Sequence, residues 1–360
     1  MSTHTAIATT AKGQLNAIQV PTESPAEGEV LLKVEYAAMI PFDGYVTDRG
    51  YAVQEYPMVL GFGAAGTVEK VGTGVEDLKV GDRVTAFAYG NSRNKAMQEY
   101  VVEPRTVCAK IPGSVSLETA STIPDNFVTA FYTLFNQLSL PIPSSFPAKQ
   151  PPPLANTPIL IYGAGSTAGI YAVQLLHIAG YKKIIVTASS RNHEYLRSLG
   201  ATHAFDYNSS SLSKDILSAA GGEKLLLVVD CIAAKPTLEN IAKVISPLGT
   251  LAVLLPIKEG SNVTGNIEEE MHFSIPDSMN PFPKELKIVG VRTFLYHEDE
   301  NLKQNLMPKI LPQLLAVGAI EPNRVRLMDK GSFKERVAAG LDLLRNNKVS
   351  GEKVVVKVNP

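Results

Sequence analysis

Over roughly the first 125 residues the chain alternates short apolar and polar runs with Gly and Pro turns. Residues 29–35, 66–71 and 83–87 are such runs, and their spacing predicts the short strands of a small β-barrel or sandwich. A helical pattern covers residues 120–138, and a proline-rich stretch at 141–154 follows it as an exposed connection. From Pro158 the texture changes. Apolar runs at 159–162, 183–187, 225–230 and 250–255 alternate with helical patterns at 168–179, 193–199 and 236–245. Such alternation predicts an α/β architecture built on a parallel, doubly wound sheet. A strand at 286–291, amphipathic helices at 302–317 and 333–346, and a closing strand at 353–358 complete the chain, which shows no internal repeat.

The length, 360 residues, suits about two domains. Lys and Arg total 34 against 35 Asp and Glu, a net charge of -1. That balance argues against nucleic acid or an anionic membrane as the main partner, since either favours a basic excess. The two cysteines, Cys108 and Cys231, cannot build a disulfide framework or a four-cysteine zinc lobe. Residues 1–12 lack the apolar core of a signal peptide, and Val358-Asn359-Pro360 carries no lipidation signal, so a cytoplasmic, reducing location is expected. Residues 151–181 carry no charged side chain, but the glycines at 163, 165 and 169 break any single membrane-spanning helix. The sequons at Asn208 and Asn262 read as chance matches.

Gly163-Ala-Gly165-Ser-Thr-Ala168 fits G-x-G-x-x-G/A between an expected strand and an expected helix. Gly163 permits the tight turn, Gly165 lets backbone approach a pyrophosphate, and the small Ala168 lets helix and strand pack closely. The helix N-terminus then offers free amides to the phosphates. At the end of the next strand an NAD site usually carries an acid for the ribose 2′-hydroxyl. Here the chain has Ser189-Ser190-Arg191, with no acid before Glu194. Hydroxyls and a guanidinium suit a 2′-phosphate, so NADPH is the expected cofactor. The alternative is a solvated loop with a helix cap.

Candidate chemistry is narrowed by what is missing. Cys108 and Cys231 stand too far apart in sequence to supply zinc-dehydrogenase ligands, and His272 beside Glu268–Glu270 reads as a solvated acidic run. None of the 13 tyrosines has Lys four residues later, as a short-chain reductase would need. No metal site is expected.

Residues 60–68, 80–84, the glycine turn and residues 349–357 together resemble the medium-chain dehydrogenase/reductase superfamily, in the right order and over nearly the whole chain. Where zinc members carry Gly-His-Glu this chain has Gly61-Phe62-Gly63, and where they carry a ligand Cys it has Met39-Ile-Pro-Phe-Asp43. It therefore resembles the zinc-free branch. Within that branch it is similar to fungal trans-acting enoyl reductases of the lovastatin type, through Gly180–Ile184, Leu199–Ala201, Phe205–Tyr207 and Asp230-Cys231-Ile232.

The resemblance implies a GroES-like β-barrel catalytic domain, residues 1–128 completed by 296–360, and a Rossmann NADPH-binding domain, residues 129–295. It implies that Ser166, Thr167 and Ala168 lie under the phosphates and that Tyr207 packs on the adenosine half. Leu254, Leu255 and the closing strand near Lys353 and Val354 would then line the nicotinamide, with Thr129 at its carboxamide side and Ile232 also at the cofactor.

Reducing a C=C bond conjugated to a carbonyl delivers hydride to the β-carbon and spreads charge onto an enolate oxygen, which hydrogen-bond donors can hold. A Tyr or water then protonates the α-carbon. By resemblance to mitochondrial-type enoyl thioester reductases the donor would be Tyr51, after Pro41-Phe-Asp43. Ile40 stands where that pattern has Asn, and aromatic packing is the other reading of Tyr51. Asp43 would order the turn. The expected function is reduction of an activated alkene, as a small molecule or bound to a carrier protein, by a monomer or homodimer. The alternatives are an NADPH:quinone oxidoreductase, an alcohol dehydrogenase, or a dinucleotide-binding protein without turnover.

Overall fold

The computed structural model describes residues 2–260 and 270–359, so the sequon at Asn262 and the acids Glu268 and Glu269 lie outside the described residues. Contacts gather the chain into two units, Met1–Asp125 with Tyr296–Pro360, and Asn126–Leu295.

The first unit begins with strands β1 (Thr3–Ala11), β2 (Gln14–Pro21), β3 (Glu29–Met39) and β4 (Met58–Val59). These are followed by β5 (Gly63–Val71), β6 (Arg83–Phe87), β7 (Tyr100–Pro104) and β8 (Cys108–Lys110). β1 lies between β2 and β4 in an antiparallel sheet. β2 alternates exposed and half-buried positions along its length, the pattern of an edge strand with one wet face. β3 pairs with both β5 and β7, and β5, β6 and β8 continue the sheet. The two sheets are stitched by backbone bonds from Ile7 N–H to the Met97 carbonyl (2.8 Å) and from Glu99 N–H to the Thr5 carbonyl (3.1 Å). Among the described residues, continuous strand pairing does not close the barrel.

The second unit carries β9 (Ile159–Tyr162), β10 (Ile184–Thr187), β11 (His203–Phe205), β12 (Leu225–Asp230) and β13 (Ile245–Leu254). A small antiparallel pair, β14 (Ile257–Lys258) and β15 (Met271–His272), precedes β16 (Lys287–Val291). Every residue of β9 and β10 is buried, as both faces of a parallel sheet are covered by helices. The six-stranded parallel sheet runs β11-β10-β9-β12-β13-β16, the doubly wound order whose reversal between the two halves creates a ligand crevice at the strands' C-terminal ends. Helices Leu212–Ala219 and Lys235–Val244 pack Ile216, Leu238 and Ile241 against Leu160, Val228 and Leu251 of the sheet. The expected helix over 120–138 is interrupted: Leu117–Ala120 ends before a second helix starts at Pro124, because proline supplies no N–H to continue the ladder. No helix among the described residues is long and apolar enough to cross a membrane. The uncharged run 151–181 is instead a loop, β9, the glycine turn and the helix Thr167–Ile178.

The chain then returns to the first unit with β17 (Arg324–Met328) and β18 (Glu352–Lys357). β18 inserts between β17 and β3. Lys353 on β18 forms a buried ion pair with Asp125, Nζ to Oδ2 at 2.6 Å. Such a pair adds little net stability, but removing one partner strands the other charge.

A second buried carboxylate bolts the first unit together. Asp43 has no exposed surface, and its oxygens accept the N–H of Ile40 (2.8 Å) and of Gly61 (2.7 Å). Burial pushes its carboxyl up to about 6, against the pull of those N–H donors and of Lys95 and Lys353. Unfolded, the group titrates near ~4. Between pH ~4 and ~6 the unfolded chain therefore ionises first, and this group's contribution to stability falls as pH rises through that window. In Asp43→Asn the contribution vanishes, and an amide NH2 must face a backbone N–H. We expect urea unfolding to show the wild type's advantage over Asp43→Asn shrinking by about 2–3 kcal/mol from pH 4 to 6.5. Parallel pH profiles would contradict the burial argument.

Candidate active site

The glycine turn of the second unit is built by steric exclusion. Gly163 has φ +78°, and a Cβ there would collide with the Ile232 side chain. A Cβ on Gly169 would come within 2.6 Å of the Ala164 Cα, so the closest approach of helix to turn falls at a residue that the motif spacing did not single out. Gly163 N–H donates to Thr187 Oγ1 (2.9 Å), tying the turn to the end of β10. Ser166 caps the helix, its hydroxyl accepting the Gly169 N–H at 3.1 Å. Thr167 opens that helix, and Ala168 is buried. The helix start therefore faces the turn with its remaining N–H groups unused inside the helix, a geometry suited to anions.

At the end of β10, Ser189 is half-buried while Ser190 and Arg191 are exposed. Ser189 Oγ lies 3.3 Å from Tyr207 Oη, whose ring is exposed. Asp206 clasps this loop, accepting the N–H of Ser190 (3.1 Å) and of Asn208 (2.9 Å); these bonds hold its carboxyl below the usual range. Among the described residues no side chain or carbonyl pairs with the Arg191 guanidinium, which is therefore available. The neighbouring turn is held by Asp230, which has no exposed surface and accepts the N–H of Ile232 (2.9 Å) and Ala233 (3.0 Å) and the Thr237 hydroxyl (2.5 Å). Lys258 Nζ donates to the Ile232 carbonyl at 2.7 Å. Leu254 and Leu255 are half-buried at the end of β13, with Leu255 against Gly290 of β16. Thr129 Oγ1 meets Thr293 Oγ1 at 3.0 Å. Within this unit, then, the turn, the Ser189–Arg191 loop, Tyr207, Ile232 and Leu254 all lie at the C-terminal ends of strands β9 to β13.

In the first unit the short helix Pro41–Gly44 leads into Tyr45–Arg49, and the turn carries an aromatic group. Phe42 packs edge-to-face on Tyr51 (5.4 Å), Phe62 (5.3 Å) and Tyr45 (6.2 Å). Tyr51 thus sits in a ring cluster with its hydroxyl oxygen buried. Where zinc relatives have Glu, a Cβ on Gly63 would lie 2.5 Å from the Ser121 carbonyl, so the backbone leaves no room for a longer side chain. Lys353 and Val354 are both buried in β18, with Lys353 committed to Asp125.

Sequence reasoning missed several ionisable groups around Phe62. Lys95 is 3% exposed, its Nζ 3.5 Å from the Phe62 ring centroid. Burial pushes its amine down to about 8, opposed by the nearby Asp43 and Glu103 carboxyls. Glu103 is buried with its carboxyl held well above the usual range by desolvation. Tyr89, just beyond β6, shares a 2.9 Å hydrogen bond between its Oη and Nδ1 of His297, and burial pushes its phenol up to about 12. Burial also raises both thiols, Cys231 to about 12, so neither offers thiolate at neutral pH. His272 has the carboxylates of Glu259 and Glu270 at 3.9 and 4.0 Å, and among the described residues no group of three or more His, Cys, Asp or Glu converges as metal ligands.

Comparison with known proteins places this geometry. Residues 26–127 match the alcohol dehydrogenase GroES-like domain, and residues 168–307 the zinc-binding dehydrogenase family. The chain is 30% identical over 364 residues to the trans-enoyl reductase pvhC of Talaromyces variabilis, covering 97% of this chain and 95% of that protein. It is 29% identical over 337 residues to the trans-enoyl reductase himH of Aspergillus japonicus, covering 92% and 90%. Among solved structures, the CurK enoyl reductase superposes with a TM-score of 0.75 at 20% identity, covering 98% of this chain and 99% of that one. The Escherichia coli quinone oxidoreductase complexed with NADPH gives 0.73 at 20%, with the same coverage. The chain belongs to the medium-chain dehydrogenase/reductase superfamily of oxidoreductases, with fungal trans-enoyl reductases among its relatives.

Proposed function

We propose that the protein is an NADPH-dependent reductase of an activated C=C bond, an enoyl thioester, enone or enal. The observation that carries this reading is Phe62, set in an aromatic cluster at the position where zinc relatives carry a ligand histidine. A simple ketone would leave a localised alkoxide with no metal ligand at that position. A conjugated alkene instead spreads the charge over an enolate, which hydrogen-bond donors can stabilise. The names of the trans-enoyl reductase relatives support the same choice.

In this reading the glycine turn and the helix start at Thr167 receive the pyrophosphate. Tyr207 lies along the adenosine, and Ser189, Ser190 and the available Arg191 guanidinium receive the 2′-phosphate. Asp206 is turned to the loop backbone, each of its oxygens accepting one N–H. The bound nicotinamide supplies hydride, while Ile232, Leu254 and Leu255 exclude water beside it and Thr129 orients its carboxamide. The substrate is a small molecule or its carrier-bound thioester, handled by a monomer or homodimer.

Two measurements test this. NADPH oxidation should proceed with a but-2-enoyl N-acetylcysteamine thioester or an aliphatic enone, and more slowly with a benzoquinone; quinone turnover alone would favour the oxidoreductase alternative. Arg191→Ala should weaken NADPH binding by about 10- to 100-fold, since a charge-assisted hydrogen bond contributes roughly 1.5–3 kcal/mol. NADH binding should change less than threefold. Equal losses for both cofactors would contradict the 2′-phosphate assignment.

A further inference from the structure

Beside the glycine turn, the second unit holds another turn, from Asp230 at the end of β12 to Ala234, whose polar groups are spent inside the protein. The four N–H groups that follow Asp230 all have partners. Cys231 N–H donates to the Tyr162 carbonyl (3.0 Å), those of Ile232 and Ala233 to Asp230, and that of Ala234 to Thr237 Oγ1 (3.2 Å). Lys258 takes two of the carbonyls: its own N–H donates to Ala233 (2.8 Å) and its Nζ to Ile232 (2.7 Å). Ala233 is buried with φ +54°, a left-handed conformation that an L side chain adopts only at a cost, so the flanking bonds must hold it there. What this turn offers the crevice is therefore a side chain rather than backbone donors. Ile232 is half-buried and fills the space over Gly163 that a Cβ would need.

We infer that Lys258 is a positioning residue for the nicotinamide half of the dinucleotide, acting through the turn that seats Ile232; the inference rests on the cofactor reading proposed above. In the doubly wound order, β9, β10 and β11 form one mononucleotide half and β12, β13 and β16 the other. Ser189–Arg191 and Tyr207 follow β10 and β11, in the half given to the adenosine and its 2′-phosphate. The Asp230–Ala234 turn follows β12, across the point where the order reverses, and so falls to the nicotinamide. β14 brings Lys258 back to this turn, where its backbone bridges to Ala234. Burial pushes the Lys258 amine down to about 8, opposed by the Asp230 carboxylate, so at pH 7 it donates as an ammonium. Without Nζ the Ile232 carbonyl loses a charge-assisted partner, the left-handed Ala233 is released on one side, and Ile232 no longer has a fixed place over Gly163. The bonds that shape the Ser189–Arg191 loop do not involve Lys258.

The test measures binding to the full chain at pH 7 of NADPH and of adenosine 2′,5′-bisphosphate, which carries the adenosine half alone. Lys258→Met should weaken NADPH binding about tenfold, the low end of what a charge-assisted hydrogen bond contributes, and leave the bisphosphate Kd within twofold. Should Lys258→Met not fold, Lys258→Gln, whose amide ends one atom short of Nζ, is read in the same way. A split between the two ligands is what a merely structural role would not produce. Equal losses for NADPH and the bisphosphate mark a general loosening of the unit and overturn the assignment, as does NADPH binding unchanged from wild type. A wild type that binds neither ligand overturns both this inference and the cofactor reading on which it rests.

Discussion

A carboxylate with no exposed surface must find its hydrogen bonds inside the protein, and Asp43 finds them in two stretches of chain that flank the β3–β5 pairing. By accepting the N–H of Ile40 and of Gly61 it fastens the turn that bears Phe42, Tyr45 and Tyr51 to the segment that bears Phe62. The aromatic wall of the first unit follows from that bolt. The surrounding charges follow from it too: Lys95 and Lys353 both lie close enough to oppose the burial penalty of Asp43, and Lys353 is held by Asp125. Buried ionisable groups are costly when unpaired, and Lys95, with its Nζ 3.5 Å from the Phe62 ring centroid, lies near the Asp43 and Glu103 carboxyls that oppose its burial penalty.

The second unit is organised by close approach instead. Cβ atoms at Gly163 and Gly169 would meet Ile232 and Ala164, so the turn is as tight as backbone allows, and Ser166 and Thr187 tie its two ends. The result is a set of unused N–H donors at the start of a buried helix, beside a loop whose backbone is held by Asp206 while its serine hydroxyls and arginine guanidinium are not paired with an acid. In the proposed function, the second unit's turn is the part that would receive the charge of the cofactor phosphates.

Much of this was legible in the sequence because the controlling physics is local. A strand, a positive-φ glycine and a helix start are set by neighbouring residues, so the tight turn at Gly163 and the helix after it could be read directly, as could the alternation that gives the parallel sheet. The three-residue strand β11 and the helix Leu212–Ala219 escaped notice, since so short a strand leaves no periodicity to detect. Lys95 and Glu103 were invisible for another reason: a lysine beside Asn94 and a glutamate after Val102 look like surface residues until the tertiary fold buries them. The Tyr89–His297 bond joins residues 208 positions apart, a separation that no local pattern records. Tyr51 was singled out by its distance from a motif, whereas the structure shows what surrounds its ring.

The central claim concerns where the electrons go, and the label they carry tests it most directly. The wild-type protein would be given NADPH bearing deuterium at the transferred C4 position, with the but-2-enoyl thioester in ordinary water. The account predicts deuterium on the β-carbon of the saturated product and a solvent proton on the α-carbon. Deuterium on the carbonyl carbon of an alcohol product, or in no product at all, would contradict it.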